Sequence, residues 1–425
     1  MVPFRIFRKA GCVPLGALAP LLLFAQDAAT PPRTWIDPDT GHRIVRLTDE
    51  PGSASLYFNQ NGYTGDLKKM VYTTPQGISV MDLASHETRP VVTGRVRIVV
   101  TGRRTQNVYY IRDNTVYATD VDSGVTREIA KMPKLGTMQS IVTVNADETL
   151  LGGTYTDVHN GADYNPNRAP AVQQLDQPPN KGQMMEQRLA AHYPMGLFTV
   201  NIQTGEQRVI LKSTDWLNHL EFSPTDPTLL MFCHEGPWHK VDRIWTIRTD
   251  GSHITKVHTR TMTMEIAGHE FWSADGQTIW YDLQTPRGEV FWLAGYNVET
   301  GERTWYHLQR DEWSIHFNVT RDGSLFCGDG GDPGQVAHAP DGEWVYLFRP
   351  ERIANRDGIR LPGFVDAGVL RAERLVNMSK HNYRLEPNVS FTPDQKWVVF
   401  RSNMFGATYV FAVEVAKAPS PADRR

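Results

Sequence analysis

Apolar and polar residues alternate in short runs from Trp35 onward, and turns rich in Asp, Asn and Gly separate the runs. Alternation with a period of two is typical of a β-strand with one buried face. One unit recurs along the chain: an apolar strand, a tight turn with Asp or Gly, a second strand, and then a hairpin. The pattern therefore predicts an all-β fold that is built from repeats.

The first half of the repeating unit is clearest in four segments, at 219–226, 269–276, 316–323 and 389–394. Weaker copies lie at 65–66, 102–103 and 145–147, which brings the number of repeats to seven. The second half is a hairpin around a glycine turn, as at Gly124, Gly205 and Gly301, where glycine supplies the positive φ that such turns need. Repeats of about 40–50 residues with four strands each predict a seven-bladed β-propeller.

The two ends of the repeat region suggest how the ring closes. Residues 43–48 have the pattern of an outer strand, and 409–415 could pair with them, so we expect one propeller over 35–416. Two repeats are too long, and we interpret the extra residues as insertions near 157–194 and 328–379. The first insertion is helix-like through 183–191. Insertions of this kind lie on one face of a propeller, often the binding face.

The N-terminus has the features of a targeting segment. Arg5, Arg8 and Lys9 precede an apolar run over 12–24, which is shorter than the ~20 residues of a spanning helix. We interpret 1–26 as a secretory signal peptide, with an uncleaved anchor as the alternative. This predicts a periplasmic or secreted protein with no stable membrane insertion after cleavage. Cys233 and Cys327 remain beyond the leader, too few for a disulfide framework.

The charge balance excludes one class of partner, and the length bears on the number of domains. The 425 residues include 44 Lys and Arg and 47 Asp and Glu, a formal net charge of −3, which argues against a nucleic-acid partner. At about 150 residues per domain the length would suggest two or three domains, but the repeats predict one closed domain. The sequence leaves the oligomeric state open.

Three histidines share one position in the repeat. His219, His269 and His316 each stand where an inner strand begins. Because inner strands line the channel of a propeller, the three imidazoles should converge at one mouth. The alternative is a structural role, in which each histidine bonds a neighbouring blade.

Two further polar runs point to the same mouth. The segment 232–245 is dense in His, Glu, Asp and Arg, and 381–388 precedes the last inner strand. Together they predict a site rich in imidazole, carboxylate and guanidinium, suited to an acidic, hydroxylated ligand. The chain has no Gly-x-Ser-x-Gly elbow, no Walker A loop and no His-Glu-x-x-His motif.

Several motifs resemble those of the oligogalacturonate lyases, polysaccharide lyase family 22, which are seven-bladed propellers of the TolB-like type. They are Cys-His-Glu-Gly-Pro at 233–237, Val-Asp-Arg-Ile-Trp at 241–245, His-Glu-Phe-Trp at 269–272 and Ser-Phe-Thr-Pro-Asp at 390–394. The resemblance implies a carbon–oxygen lyase that cleaves pectin-derived uronate oligosaccharides by β-elimination and leaves a 4,5-unsaturated uronate. A base removes the C5 proton, and a metal or an arginine neutralises the uronate carboxylate.

By the same resemblance, His269 matches the family's catalytic histidine, Arg243 the arginine that assists it, and His316 one metal ligand. The family's Gln-x-x-His-x-His run is altered here, and the remaining ligands are expected among Tyr383, Glu386, Asn388 and the nearby His381. This oxygen-rich set suits Mn²⁺, Mg²⁺ or Ca²⁺ better than Zn²⁺, and Mn²⁺ is the expected ion. Sugar contacts, or structural bonds between blades, are expected from His219, His234, Glu235 and His239.

Two alternatives stay open. One is a non-catalytic periplasmic propeller that binds or scaffolds a partner, which the altered ligand run favours. The other is a lyase that acts on a different uronate or on an oxidised sugar. The presence of both the His269 and the Arg243 motifs favours an enzyme over a scaffold.

Overall fold

The computed structural model describes residues 31–157, 180–334 and 341–418. The predicted leader at 1–26 and much of the predicted insertion at 157–194 lie outside these residues. Within them are 29 strands, one α-helix and one 3₁₀ helix. No helix in this described part of the chain is long and apolar enough to span a membrane.

The strands form six hydrogen-bonded sheets. Four sheets have four antiparallel strands each, in chain order. Two short strands precede them, β1 (Thr34–Ile36) and β2 (His42–Arg46). The first two sheets are β3 (Ala54–Ser55), β4 (Lys69–Thr74), β5 (Gly77–Asp82), β6 (Thr88–Thr93), and β7 (Arg97–Thr101), β8 (Asn107–Arg112), β9 (Thr115–Asp120), β10 (Thr126–Lys131). The next two are β11 (Met138–Val144), β12 (Leu150–Thr156), β13 (Met195–Asn201), β14 (Gln207–Ser213), and β15 (Trp216–Phe222), β16 (Leu229–Glu235), β17 (Ile244–Arg248), β18 (Thr255–Lys256).

The fifth sheet has eight strands, in two groups of four. The groups are β19 (Ile266–Trp272), β20 (Thr278–Gln284), β21 (Phe291–Asn297), β22 (Arg303–Leu308), and β23 (Phe317–Val319), β24 (Phe326–Gly328), β25 (Trp344–Arg352), β26 (Val365–Asn377). They join where β22 runs parallel to β26. A 3₁₀ helix at Arg310–Glu312 connects β22 to β23.

The last sheet combines the two ends of the described chain. It contains β27 (Ser390–Phe391), β28 (Trp397–Phe405) and β29 (Ala407–Lys417), and then β2 and β1. Ile44 on β2 faces Val413 on β29 in an antiparallel pair. This pairing of the N-terminal and C-terminal strands confirms the predicted closure.

One expectation about insertions was wrong and another is confirmed. The segment 328–379 is not mainly an insertion, because it supplies β25 and β26, whose apolar residues such as Val345 and Leu347 are buried. The hairpin between these long strands stretches the repeat spacing. In contrast, the helix expected at 183–191 is present as α1 (Lys181–Ala191). Asn180 caps it, with its side chain accepting from the Gln183 N–H at 2.9 Å.

A Ser/Thr-x-Asp turn recurs after the innermost strands and explains the repeat pattern in the sequence. The hydroxyl donates to the aspartate two residues later, as in Thr320 to Asp322 at 2.7 Å and Thr392 to Asp394 at 2.6 Å. The same aspartate accepts a backbone N–H two residues further along the turn, as Asp394 does from Lys396. These local bonds set the turn between the first two strands of a repeat.

The innermost strands surround a common channel. Contacts join β7 to β11, β11 to β15, β23 to β27, and β28 to β3. A cavity of about 140 Å³ is lined by residues in or directly after five different innermost strands, namely Ser55, Glu221, Ser273, Asn318 and Ser390. Apolar side chains such as those of Tyr109, Leu151 and Phe198 fill the space between neighbouring sheets. Sheets that face one another around a channel are the arrangement of a β-propeller.

Candidate active site

His219, His269 and His316 occupy equivalent places in the repeat, as predicted. Only His316 stands where its strand begins, because His219 and His269 lie in the middle of β15 and β19. The rings of His269 and His316 lie 5.0 Å apart, nearly perpendicular. The strand register shifts beside His219 and beside His269, and both residues have positive φ, 45° and 46°. This left-handed conformation is uncommon for a non-glycine residue, and such strain concentrates at functional sites. The bulges redirect the imidazoles out of the strand alternation.

A buried aspartate orients each of two imidazoles. Asp282 Oδ1 lies 2.9 Å from His269 Nδ1, and Asp329 Oδ2 lies 2.8 Å from His316 Nδ1. A carboxylate at Nδ1 keeps the proton there, so that Nε2 is the unprotonated nitrogen of the neutral ring. Burial lowers the pKa of His269, but the Asp282 carboxylate outweighs it and raises the pKa above its usual value.

Two glutamates hold Arg243 beside these histidines. Arg243 donates from Nε to Glu270 Oε2 at 3.0 Å and from Nη1 to Glu235 Oε1 at 2.7 Å. Although burial opposes it, the Arg243 charge holds the pKa of Glu235 well below its usual range. Glu235 also lies 3.4 Å from His219 Nε2, and the Trp238 ring packs edge-on to His269 at 5.4 Å. The cluster is thus one network of imidazole, carboxylate and guanidinium.

Tyr57 belongs to the site, although sequence reasoning missed it. Its hydroxyl lies 3.1 Å from His316 Nε2, and donates to it because Asp329 holds the proton on Nδ1. Burial raises the pKa of Tyr57, as do the nearby carboxylates of Glu386 and Glu270. Tyr57 precedes β4 in the first repeat, whose sequence match to the others is weak. The sequence signal that could have indicated Tyr57 is the polar run at 59–61, which follows it closely.

The predicted metal ligands are only partly brought together. Glu386 Oε2 lies 3.8 Å from His316 Nε2, and the Glu386 side chain is 43% exposed. His381 is unsuited, because Nδ1 pairs with the Ser402 hydroxyl at 2.9 Å and Nε2 with the Leu385 carbonyl at 2.6 Å. Tyr383 is buried and donates to the Asp329 carbonyl at 3.1 Å.

Asn388 is the fifth predicted ligand, and its oxygen is also occupied. With the amide oriented to satisfy both of its ends, the oxygen accepts from Arg401 Nη2 at 2.5 Å and from Nε at 3.1 Å. Asn388 is fully buried and has a positive φ of 55°. The structure therefore leaves His316 and Glu386 as the donors that face each other, and does not add His381, Tyr383 or Asn388 to them.

The predicted sugar-contacting residues lie partly inside and partly outside this cluster. His219 and Glu235 lie in the cluster. His234 lies on the face of β16 opposite to Glu235, because side chains alternate along a strand. Its ring stacks on Trp245 at 4.8 Å, and its Nδ1 lies 3.7 Å from the Asp215 carboxylate. His239 lines a cavity beside α1, and its backbone carbonyl accepts from Arg260.

A second set of donors lies beside Arg243. Atoms of His219, Cys233 and Glu235 all fall within 4.8 Å of one another, a spacing that could hold a metal ion. Burial raises the pKa of the Cys233 thiol well above its usual value, so the thiolate that binds metals is disfavoured. The Arg243 ion pair already uses the Glu235 carboxylate. We therefore interpret this set as part of the arginine cradle.

A cavity of about 170 Å³ adjoins the cluster. Tyr57, Asn59, His219, Arg103 and Glu221 are among its lining residues. Burial raises the pKa of Glu221 to about 8, although Arg103 opposes the shift. The polar floor and the adjacent imidazoles suit a hydroxylated, anionic ligand.

Fold and site together define a β-propeller enzyme whose carboxylate-oriented histidines adjoin a buried arginine. The profile of the oligogalacturonate lyases matches residues 28–419. The chain therefore belongs to the oligogalacturonate lyase family, as the motifs predicted, and it is a lyase.

Known proteins agree with this assignment. An oligogalacturonide lyase of Pectobacterium atrosepticum is 25% identical over 405 residues, which are 90% of this chain and 95% of the relative. An oligogalacturonate lyase of Dickeya dadantii is 27% identical over 232 residues, 52% of this chain and 55% of that protein. Among solved structures, an oligogalacturonate lyase in complex with manganese superposes with a TM-score of 0.72 at 23% identity, covering 90% of this chain and 96% of that one. An oligogalacturonate lyase of Vibrio parahaemolyticus gives a TM-score of 0.69 at 23% identity, with the same coverages. At these identities the superpositions show a shared fold.

Proposed function

We propose that the protein cleaves oligogalacturonides, acidic oligosaccharides derived from pectin, by β-elimination. The observation that carries this proposal is the pair of His269, oriented by Asp282, and Arg243, cradled by Glu235 and Glu270. An elimination next to a carboxylate needs a base and a positive charge. A scaffold protein would need neither in this arrangement.

His269 acts as the base. Its Nε2 takes the C5 proton of a uronate, and the imidazolium that forms is stabilised by the Asp282 carboxylate at 2.9 Å. The electron pair of the C5–H bond forms the C4–C5 double bond. The glycosidic oxygen leaves C4 with its bonding pair and takes a proton. Arg243 contributes fixed positive charge, which stabilises the negative charge that develops on the uronate carboxylate.

A divalent cation fits His316 and Glu386. These residues offer one imidazole nitrogen and one carboxylate, which lie 3.8 Å apart, close enough to share an ion, and both donor types suit manganese. Such an ion would neutralise the substrate carboxylate when bound. Occupation of His316 Nε2 displaces the hydrogen bond from Tyr57. The manganese in the solved relative supports this part of the proposal.

We also propose seven blades, with the eight-stranded sheet as two blades that pair through β22 and β26. The propeller over 35–416 then forms one domain, with residues 1–26 as a signal peptide for a periplasmic or secreted enzyme. The substitution of Asn388 and its contact with Arg401 favour a second candidate, a lyase for a different uronate.

The test is direct. Purified protein is incubated with short galacturonate oligomers and with a panel of other uronates, in Mn²⁺ and in chelator, and the ultraviolet absorbance of the 4,5-unsaturated product is followed. We expect activity that His269→Ala removes and that His307→Ala retains, because His307 lies on β22 against Trp292. Absence of product from every uronate, with or without metal, would contradict the proposal.

A further inference from the structure

Two positions of the repeat form a pair that recurs in three successive repeats. One lies four residues before the Ser or Thr of the Ser/Thr-x-Asp turn, and the other lies nine residues after it. The pairs are His269 with Asp282, His316 with Asp329, and Asn388 with Arg401. The first two pairs are an imidazole held by a carboxylate. The third is an amide held by a guanidinium, so the charge at the second position is reversed.

Arg401 is a half-buried cation that has no anionic partner among the residues that the structure describes. Its Nε donates to the Glu386 carbonyl at 2.8 Å, and the Asn388 oxygen accepts from Nε and Nη2. No carboxylate of the described residues lies within ion-pair distance of it, and none of their atoms accepts from Nη1. Burial lowers the pKa of Arg401, while the carboxylates of Glu386 and Asp329 oppose this. Because taking a charge partly out of water without a partner costs free energy, such a group is suited to an anionic ligand.

The position of Arg401 is next to the proposed reaction site. It bonds to the backbone of Glu386, whose carboxylate lies 3.8 Å from His316 Nε2. His316 in turn stands 5.0 Å from His269, ring to ring. Of the anionic groups nearby, Asp329 pairs with His316 and accepts three backbone N–H groups, at 2.8, 3.0 and 3.3 Å, and the Glu386 carboxylate faces His316 Nε2 at 3.8 Å. These bonds leave Arg401 to recognise an anion that enters from outside.

We propose that Arg401 binds a carboxylate of the uronate substrate, and so selects for acidic sugars over neutral ones. Resting on the proposed function, this inference adds a residue that the family motifs did not assign. A guanidinium is suited to the task, because its planar fork can bond both oxygens of a carboxylate. Asn388 fixes the direction of the fork by accepting from its inner edge.

The test compares Arg401→Ala and Arg401→Lys with the wild type at saturating Mn²⁺. We expect Arg401→Ala to lower kcat/KM on trigalacturonate about 10- to 100-fold, the effect of losing a hydrogen bond to a charged group, mainly through KM. Arg401→Lys should recover part of the loss, because it keeps the charge but not the fork. Arg349→Ala is the matched control, since this outer-strand arginine is 55% exposed and pairs with Glu373.

A binding measurement separates recognition from a structural role. Calorimetry with galacturonate and with galactose should show a preference for the acid in the wild type, which Arg401→Ala loses while it still binds Mn²⁺. The inference is overturned if the preference and kcat/KM stay within twofold of the wild type, if both sugars lose affinity equally, or if Mn²⁺ binding is lost. If the wild type cleaves no uronate, the proposed function fails, and the acid-over-neutral preference still decides the role of Arg401.

Discussion

The hydrogen bond between Asp282 and His269 gives a prediction with an unusual combination of effects. Both side chains are largely buried, and the Oδ1–Nδ1 distance is 2.9 Å. In Asp282→Asn, the amide oxygen can still accept from Nδ1, but the negative charge that stabilises the imidazolium is gone. The base should therefore become weaker while the site keeps its shape.

The magnitude follows from the type of bond. A hydrogen bond to a charged group contributes about 1.5–3 kcal/mol, and its loss lowers the pKa of His269, because the Asp282 carboxylate is what raises it. The same energy, lost in the transition state, lowers kcat about 10- to 100-fold. Because His269 must be neutral to act as a base, activity rises as the pH passes above its pKa. The wild-type pKa is raised, so the acidic limb of the variant should move to lower pH.

The assay is the pH dependence of kcat/KM on trigalacturonate, followed by product absorbance. We expect Asp282→Asn to have a lower plateau and an acidic limb displaced toward lower pH. Asp311→Asn is the control, because this aspartate is half exposed and pairs with Arg374 on the surface. A variant with a lower plateau but an unmoved limb would refute the reasoning, since His269 would then not be the titrating base.

Three other outcomes are expected. Glu386→Gln should weaken Mn²⁺ binding, measured by electron paramagnetic resonance, by at least the ~10-fold typical of losing a supporting group. His381→Ala should leave the Mn²⁺ affinity of the folded protein unchanged, because both of its ring nitrogens are bonded elsewhere. Equal effects of the two substitutions would contradict the ligand assignment. Phe400→Ala should lower the free energy of unfolding, measured by urea titration, by about 3–5 kcal/mol, because this ring is fully buried. A change below about 1 kcal/mol would be inconsistent with that packing. Cys233 and Cys327 should react with a thiol reagent only after unfolding, because both are buried with raised thiol pKa values; rapid labelling of the native protein would refute this.

The fold could be predicted because each repeat is marked by hydrogen bonds between residues that are close together in the sequence. The Ser/Thr-x-Asp turns fix where the first strand of a unit ends, and the hydroxyl–carboxylate bonds that do so appear in the sequence as spacing. The misreading of 328–379 has the same origin. The long hairpin between β25 and β26 lengthens that repeat without adding a turn of the expected kind, so spacing alone could not assign its strands.

The site could be predicted only in part, because contacts across strands are not visible in a motif. The shared position of His269 and His316 in the repeat predicted that their rings converge, and the rings lie 5.0 Å apart. His234 follows Cys233 directly and so lies on the other face of β16, which the motif does not show; its sugar contact stays a prediction. The ligand run failed differently: nothing in 381–388 shows that Arg401, on the next strand, takes the Asn388 oxygen.

The pairing of β2 with β29 has a consequence for how the molecule is made. The sheet that joins Ile44 to Val413 cannot form until nearly the whole chain is available. Contacts between such distant positions are slow to form, because the entropy of closing the loop must be lost first. Until then the edge of β29 presents unpaired backbone groups, which can template aggregation. A circular permutant that connects the present termini and opens the chain between two blades should therefore fold faster, since its last strand pair would no longer span the whole sequence.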